Sequence, residues 1–303
     1  MRIIEGGPLP KSHPDYPVVK RIELVLVNQA GSAKKIADDL PAMIRKEIEK
    51  VIDTANTGRI SAEQLEKTEK TYIGTRIEIL FRNYFQLPKG KLDLKIEDLD
   101  VDIKNTIRNT WMIPREAVDK PCLLVSSDEA KGVCHLGILI AKPAYLTMGH
   151  NQDKKLSVSA FGFKNIHWLF ANKSYPVSFW AKIGESRTKK ILLGPTGNER
   201  IAQLFREVQR QPIHRDVIQA TAQQKDYMKR LRKNGGARDI LLSEGIVILS
   251  GNYDKLVIGR LKLGRVGKDE FISIKPISNE EAILLKEFGL IGKSDWIGLG
   301  LGG

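Results

Sequence analysis

Apolar and charged residues alternate along Lys91-Leu92-Asp93-Leu94-Lys95-Ile96-Glu97-Asp98-Leu99-Asp100-Val101-Asp102-Ile103-Lys104. Alternation with a period of two is typical of half-buried β-strands, and the interruption at Glu97-Asp98 predicts a two-residue turn. We therefore expect a β-hairpin whose apolar face carries Leu92, Leu94, Ile96, Val101 and Ile103. The opposite face is expected to carry Asp93, Lys95, Asp100, Asp102 and Lys104.

Helices and further strands are expected around this hairpin. From Ala33 to Val51 apolar residues recur every three or four positions, which predicts an amphipathic helix that Pro41 kinks or divides. Ser61 followed by Gln64 is a capping-box pattern for another helix, which extends toward Phe85. Two further strands are expected at Pro121–Val125 and Val133–Ile140. These patterns predict an α/β or α+β fold in which helices flank a sheet.

A polar run at residues 150–155 is the expected boundary between two domains, residues 1–150 and 151–303, as the chain length also favours. The second domain is expected to contain a helix near 159–170, short strands at 175–180 and 191–193, helices at 199–209 and 214–222, a basic helix at 225–233, and a hairpin of strands 246–250 and 256–258. Helix, helix, basic helix and hairpin is the order of a winged helix-turn-helix domain.

The net charge is +13 and is unevenly distributed: residues 1–150 carry +2 and residues 151–303 carry +11. A strongly basic half is suited to a polyanion, most simply a nucleic acid. The alternative is that the charge only aids solubility.

Several classes of protein are excluded. No stretch approaches the ~18 apolar residues of a membrane span, and the N-terminus lacks the apolar core of a secretion signal. The two cysteines, Cys122 and Cys134, form no CxxC pair, which argues against a cysteine zinc site and predicts a reducing, cytoplasmic setting. The sequence contains no P-loop, GxSxG or HExxH motif.

The charged face of the hairpin is the best candidate for a catalytic site. Asp-x-Lys places both side chains on one face of a strand, and a hairpin partner adds a second carboxylate. Two carboxylates, with Glu78 on the preceding helix as a third acid, suit Mg²⁺, while a nearby lysine orients water or neutralises a phosphate transition state. Asp-x-Lys occurs at Asp93, Asp102 and Asp153, and the alternative is an ordinary solvated face.

A second candidate surface is basic. It comprises Lys225, Lys229, Arg230, Arg232, Lys233 and Arg238, with Asp226 as the single acid at its start, and it follows His214 and Arg215 at the head of the preceding helix. Such a helix meets DNA phosphates and presents arginines to guanine edges. A solvated charged helix is the alternative.

Several segments, taken in order, resemble NaeI-type type II restriction endonucleases. The segments of the first domain are 65–78, Leu92-Asp93, 101–104 and 111–117, and that of the second domain is 214–230. The resemblance spans about residues 55–260, and it is far more specific than Asp-x-Lys alone.

This resemblance implies a catalytic domain of the PD-(D/E)xK superfamily followed by a winged-helix domain. The family pattern places the catalytic roles on Glu78, Asp93, Asp102 and Lys104, with the three acids as ligands of Mg²⁺. It also implies a homodimer that cleaves specific sites in double-stranded DNA, with a second copy of the site bound by the winged-helix domain as an activator.

Two other functions remain open from the residues. One is a DNA-binding transcriptional regulator whose first domain is non-catalytic and serves dimerisation. The other is a nicking or repair nuclease of the same superfamily. A plasmid incubated with Mg²⁺ separates the three, because discrete fragments, no cleavage and nicked circles are the respective expectations.

Overall fold

The computed structural model describes residues 6–107, 110–147, 156–224 and 226–292. Its helices, numbered along the chain, are α1 (Tyr16–Ala30), α2 (Ala33–Ile52), α3 (Thr54–Thr57), α4 (Lys67–Phe85), α5 (Ala160–Lys164), α6 (Phe179–Ile183), α7 (Glu185–Leu192), α8 (Gly197–Glu207), α9 (Arg215–Ala222), α10 (Tyr227–Arg230), α11 (Ala237–Leu242), α12 (Lys255–Arg260) and α13 (Asn279–Glu287). The strands are β1 (Leu94–Ile96), β2 (Leu99–Thr106), β3 (Met112–Ile113), β4 (Pro121–Asp128), β5 (Val133–Ile140), β6 (Leu146–Thr147), β7 (Leu156–Val158), β8 (His167–Ser174), β9 (Ile213–His214), β10 (Val247–Ser250) and β11 (Glu270–Ile274).

The chain forms two compact units. The first unit comprises Met1–Ile52 and Ser61–Ser178, and the second comprises Asp53–Ile60 and Phe179–Gly303. The boundary therefore lies at residue 178 and not at residue 150. The reason is strand pairing, because β7 pairs with β3 and β6, and β8 pairs with β5, all within the first unit.

The first unit is built on a five-stranded mixed sheet with the order β1-β2-β4-β5-β8. β2 and β4 are parallel, whereas the other neighbours are antiparallel. The predicted hairpin is confirmed, since Ile96 pairs with Leu99 across the two-residue turn and Glu97 adopts a positive φ of 53°. β1 begins only at Leu94, so Asp93 precedes the strand.

Both sides of this sheet are covered. One side packs on α1, α2 and α4 and contributes Ile103, Leu123 and Val125 to the larger core. The other side forms a smaller core around Trp111, whose indole N–H donates to the Val125 carbonyl oxygen at 2.7 Å. Even-numbered residues of β2 face this second side, and among them Asp102 is buried whereas Asp100, Lys104 and Thr106 are partly exposed.

Three local predictions are corrected. Pro41 does not divide α2 into two helices, because the apolar stripe around it stays on the core face and tertiary packing outweighs the proline's cost of about 3 kcal/mol. The helix expected at 159–170 is instead the short α5 followed by β8, which pairing with β5 stabilises as a strand. The strands expected at 175–180 and 191–193 are not formed, and helices α6 and α7 occupy most of that region.

The second unit combines its helices with an antiparallel sheet of order β10-β11-β9. The expected partner strand 256–258 lies instead in α12, and β10 pairs with β11. Val257, Ile258 and Leu261 are spaced to bury one face of that helix, and this periodicity prevails over the local β propensity. The expected basic helix 225–233 is also shorter, since helical geometry is confined to α10 and the chain then turns through positive φ at Asn234 and Gly235.

Within the described residues, no helix combines the length and apolar content that crossing a bilayer requires.

Packing between β5 and β8 should tolerate no side chain at Gly137. A Cβ there would overlap the Ile166 and Trp168 side chains, so Gly137→Ala should lower the free energy of unfolding by about 1–3 kcal/mol. Urea unfolding followed by tryptophan fluorescence measures the change. Gly74→Ala on α4 is the control, because its Cβ meets nothing and should stabilise by about 0.5–1 kcal/mol. Equal stability of the two variants would contradict this packing.

Candidate active site

The hairpin brings two carboxylates and one ammonium together. Asp102 and Lys104 are two residues apart on β2, so they project from the same face, and Asp93 returns beside them because β1 is antiparallel to β2. The Lys104 Nζ lies 2.7 Å from Asp102 Oδ1 and 3.8 Å from Asp93 Oδ2. The Ile103 backbone N–H donates to Asp93 Oδ2 at 2.8 Å.

Asp102 is the most deeply placed member of the site. It is only 4% exposed and lies directly opposite the buried Cys122 of β4. Burial raises the pKa of Asp102 to about 6, despite the opposing effect of the Lys104 ammonium. Its Oδ2 atom is buried and has no hydrogen-bond partner within the protein. A buried carboxylate oxygen in this state requires either a proton or a cation.

Lys104 remains charged in this environment. Burial by itself would lower the pKa of Lys104, but the negative charge and hydrogen bond of Asp102, together with the charge of Asp93, outweigh burial and raise it. The ammonium also donates to the Ile103 carbonyl oxygen at 3.1 Å. These contacts hold the Lys104 ammonium beside the carboxylates of Asp102 and Asp93.

Glu78 lies beside this pair on α4 and is half-buried. Burial, followed by the charge of Asp93, raises the pKa of Glu78. Among the described residues, however, no three His, Cys, Asp or Glu side chains meet closely enough to hold a metal ion. The expected set of three acidic ligands is therefore not assembled: Asp93 and Asp102 form the carboxylate pair, and Glu78 is a neighbour of it.

The residues present fit a hard divalent cation. Their donors are carboxylate oxygens, and Asp102 Oδ2 is an unpartnered acceptor in a buried position. Mg²⁺ is commonly bound by one or two carboxylates, with waters and substrate phosphate completing the shell.

The Asp-x-Lys pattern at Asp93 does not show this geometry, and the one at Asp153 is not among the described residues. Lys95 is exposed, whereas Lys104 contacts both carboxylates. Asp153 lies outside the described residues.

Two residues outside the predicted catalytic set contact the loop before β1; Asp100 was expected on the charged face of the hairpin, whereas Arg82 was not predicted at all. Arg82 donates from Nη1 to the Asp93 carbonyl oxygen at 3.3 Å, and Asp100 Oδ1 accepts from the Lys91 backbone N–H at 2.7 Å. The available signal was spacing, since Arg82 follows Glu78 by one helical turn and Asp100 precedes Asp102 by two residues.

Part of the expected basic surface is exposed in the second unit. Its described, exposed members are Lys229, Arg230, Arg232 and Lys233, and we call these four residues the basic turn. Within the basic turn, Lys229 lies 3.0 Å from Asp226, and Arg230 donates to Gln224 at 2.8 Å. Lys225 lies outside the described residues.

The remaining expected DNA contacts have structural partners. His214 caps α9 by accepting from the Asp216 N–H at 3.2 Å, and Arg215 forms an ion pair with Asp269 at 3.0 Å. Arg238 is half-buried and donates to the Ile248 carbonyl oxygen, and burial lowers the pKa of its guanidinium. Arg238 therefore does not continue the exposed basic turn.

Comparison with known proteins identifies the family. A family model described as "Restriction endonuclease NaeI" matches residues 30–284. The chain is also 30% identical over 264 residues to the type II restriction enzyme NaeI of Lentzea aerocolonigenes, with 80% of each chain covered. The match includes the hairpin, α4 and most of the second unit. The chain therefore belongs to the NaeI family of restriction endonucleases, a family of type II site-specific deoxyribonucleases.

Proposed function

We propose that this protein hydrolyses phosphodiester bonds at specific sites in double-stranded DNA and depends on Mg²⁺. The observation that carries the proposal is the buried Asp102 carboxylate, which contacts Lys104 through one oxygen and has no protein partner for the other. An arrangement that serves only to stabilise the fold would satisfy both oxygens, because a buried unpaired acceptor costs about 1–3 kcal/mol.

Asp93 and Asp102 would hold the ion. When bound, it supplies positive charge to the scissile phosphate and lowers the pKa of a coordinated water. Lys104 remains charged between the two carboxylates, so its ammonium is placed to orient the attacking water or to offset the additional negative charge of the phosphorane-like transition state. The buried position of Asp102 excludes water from its inner side and strengthens these interactions.

We infer that the second unit is a winged helix-turn-helix domain that binds DNA. The sequence of elements α8, β9, α9, α11, β10 and β11, with β11 central in the sheet, supports this inference. The basic turn lies between α9 and α11, and α12 lies in the β10–β11 connection where a wing is expected. We also propose that the protein is a homodimer, that it is located in the cytoplasm, and that a second DNA site activates its cleavage.

Mg²⁺-dependent plasmid digestion tests the catalytic site. We expect the wild-type protein to give discrete fragments, and Asp102→Ala or Lys104→Ala to abolish cleavage while DNA binding stays within about tenfold, because these groups act mainly on the transition state. Lys95→Ala is the control, since it removes an exposed lysine of the same hairpin and should leave cleavage unchanged. Nicked circles alone would favour a nicking or repair nuclease, and no cleavage a regulator.

Replacement of the ion separates binding from hydrolysis. With Ca²⁺ in place of Mg²⁺ we expect specific DNA binding without cleavage, because the larger ion accepts the carboxylates but imposes looser geometry on water. Gel-shift and cleavage assays on the same duplex measure both. Cleavage at an undiminished rate in EDTA would exclude the metal-dependent mechanism.

The basic turn should account for much of the salt-sensitive affinity. Each lost phosphate contact reduces the slope of log K against log salt by roughly 0.9, so replacing all four residues by alanine should reduce it by about one to four. Stimulation of single-site cleavage by an added duplex should fall with it. The control replaces Lys182, Arg187, Lys189 and Lys190, which are exposed cations elsewhere in the unit. An equal reduction in that control would mean that net charge alone matters.

A further inference from the structure

Asp93 differs from Asp102 in what holds it in place. Asp102 belongs to β2, whose pairing with β4 begins at that residue. Asp93 precedes β1 and ends the connection from α4, residues 86–93. Strand pairing therefore does not determine its position, and contacts made by this connection must do so.

Asp100 anchors the connection to β2. Its Oδ1 accepts the Lys91 N–H at 2.7 Å, two residues before Asp93. A Cβ on Gly90 would overlap the Asp100 carboxylate and the Leu94 carbonyl, so the connection lies directly against this side chain. The Lys95 N–H also donates to the Pro88 carbonyl oxygen at 2.9 Å, which closes the loop onto the start of β1.

Arg82, on α4, contacts the backbone of Asp93. This half-buried residue lies one turn beyond Glu78 on α4, and its Nη1 donates to the Asp93 carbonyl oxygen at 3.3 Å. The Asp93 carboxylate itself is held by the Ile103 N–H at 2.8 Å. Asp93 is thus held directly by α4 through Arg82 and by β2 through Ile103. Asp100 of β2 holds the connection two residues earlier, at Lys91.

We propose that Asp100 and Arg82 are positioning residues that set the Asp93 carboxylate for a divalent cation. The proposal rests on the proposed function, because it assumes that Asp93 and Asp102 bind the ion. Contacts that orient a metal ligand typically affect metal affinity by about 10–100-fold, since a loosely held ligand must be ordered when the ion binds. Asp100, though acidic and close in sequence, thereby acts through Asp93 and not as a ligand.

Direct Mn²⁺ titration, followed by electron paramagnetic resonance of the free ion, tests the proposal without requiring turnover. Mn²⁺ accepts the same oxygen donors as Mg²⁺. We expect Asp100→Ala and Arg82→Met each to weaken Mn²⁺ binding by about tenfold or more. Asp100→Asn keeps an acceptor oxygen for the Lys91 N–H, and its affinity should stay within about threefold of wild type. Elevated Mg²⁺ should restore cleavage by Asp100→Ala.

Two controls isolate the mechanism. Asp98→Ala removes a carboxylate from the same hairpin that contacts Arg21 and not the connection, and it should leave Mn²⁺ affinity unchanged. In an Asp93→Ala background, Asp100→Ala should cause no further loss, because its effect passes through Asp93. Thermal unfolding of each variant checks that the fold is retained.

The outcomes are distinguishable. Unchanged Mn²⁺ affinity in Asp100→Ala and Arg82→Met, alongside a loss in Asp102→Ala, overturns the positioning role but leaves the metal site intact. Equal losses in Asp100→Asn and Asp100→Ala also overturn it, since charge and not the hydrogen bond would then be responsible. Absence of Mn²⁺ binding to the wild-type protein overturns the proposed function and this inference together.

Discussion

The contact on which the site depends is the one between Lys104 and the buried carboxylate of Asp102. Removing an ionised carboxylate from water costs several kcal/mol even after the surroundings relax, and a single ammonium offsets only part of that cost. One Asp102 oxygen is paired with Lys104, and the other has no protein partner. The unpaired oxygen of this buried carboxylate therefore favours a bound cation, and a cation held there could in turn contact a phosphate.

The sheet keeps the Asp102 carboxylate buried. Asp102 is almost fully buried where β2 begins to pair with β4, so its carboxylate has little access to bulk water. Glu78, in the middle of α4, and Asp93, just before β1, are only half-buried. The site therefore combines one rigid, buried carboxylate with a second whose position depends on the connection from α4. Arg82 contacts Asp93 directly, and Asp100 contacts the connection that precedes it.

In the second unit, the positive charges of the basic turn lie on a short, exposed segment. Lys229 and Arg230 of the basic turn end the short helix α10, and Arg232 and Lys233 lie in the bend that follows it. The chain then continues through positive φ at Asn234 and Gly235. Two of these cations have partners at the surface, since Lys229 contacts Asp226 and Arg230 contacts Gln224. Family membership and the element order agree with a DNA-binding role, whereas the basic turn supports it through charge and exposure.

The amino-acid sequence by itself determined the hairpin, because strict alternation around Glu97-Asp98 permits only one register that buries Leu94, Ile96, Val101 and Ile103. It also determined which residue types meet at the site, since Asp102 and Lys104 share a face in any β-strand. Tertiary structure decided the features of the fold that the local sequence pattern does not specify. The 167–174 segment is a strand because β5 offers it a partner, and 255–260 is a helix because its apolar face meets a core. Glu78 lies beside the carboxylate pair, and Arg82 contacts the Asp93 carbonyl oxygen, because α4 packs against the sheet there. Asp100 contacts Lys91 because the connection from α4 runs against β2. Spacing along the chain specifies faces, whereas distances between elements follow only from packing.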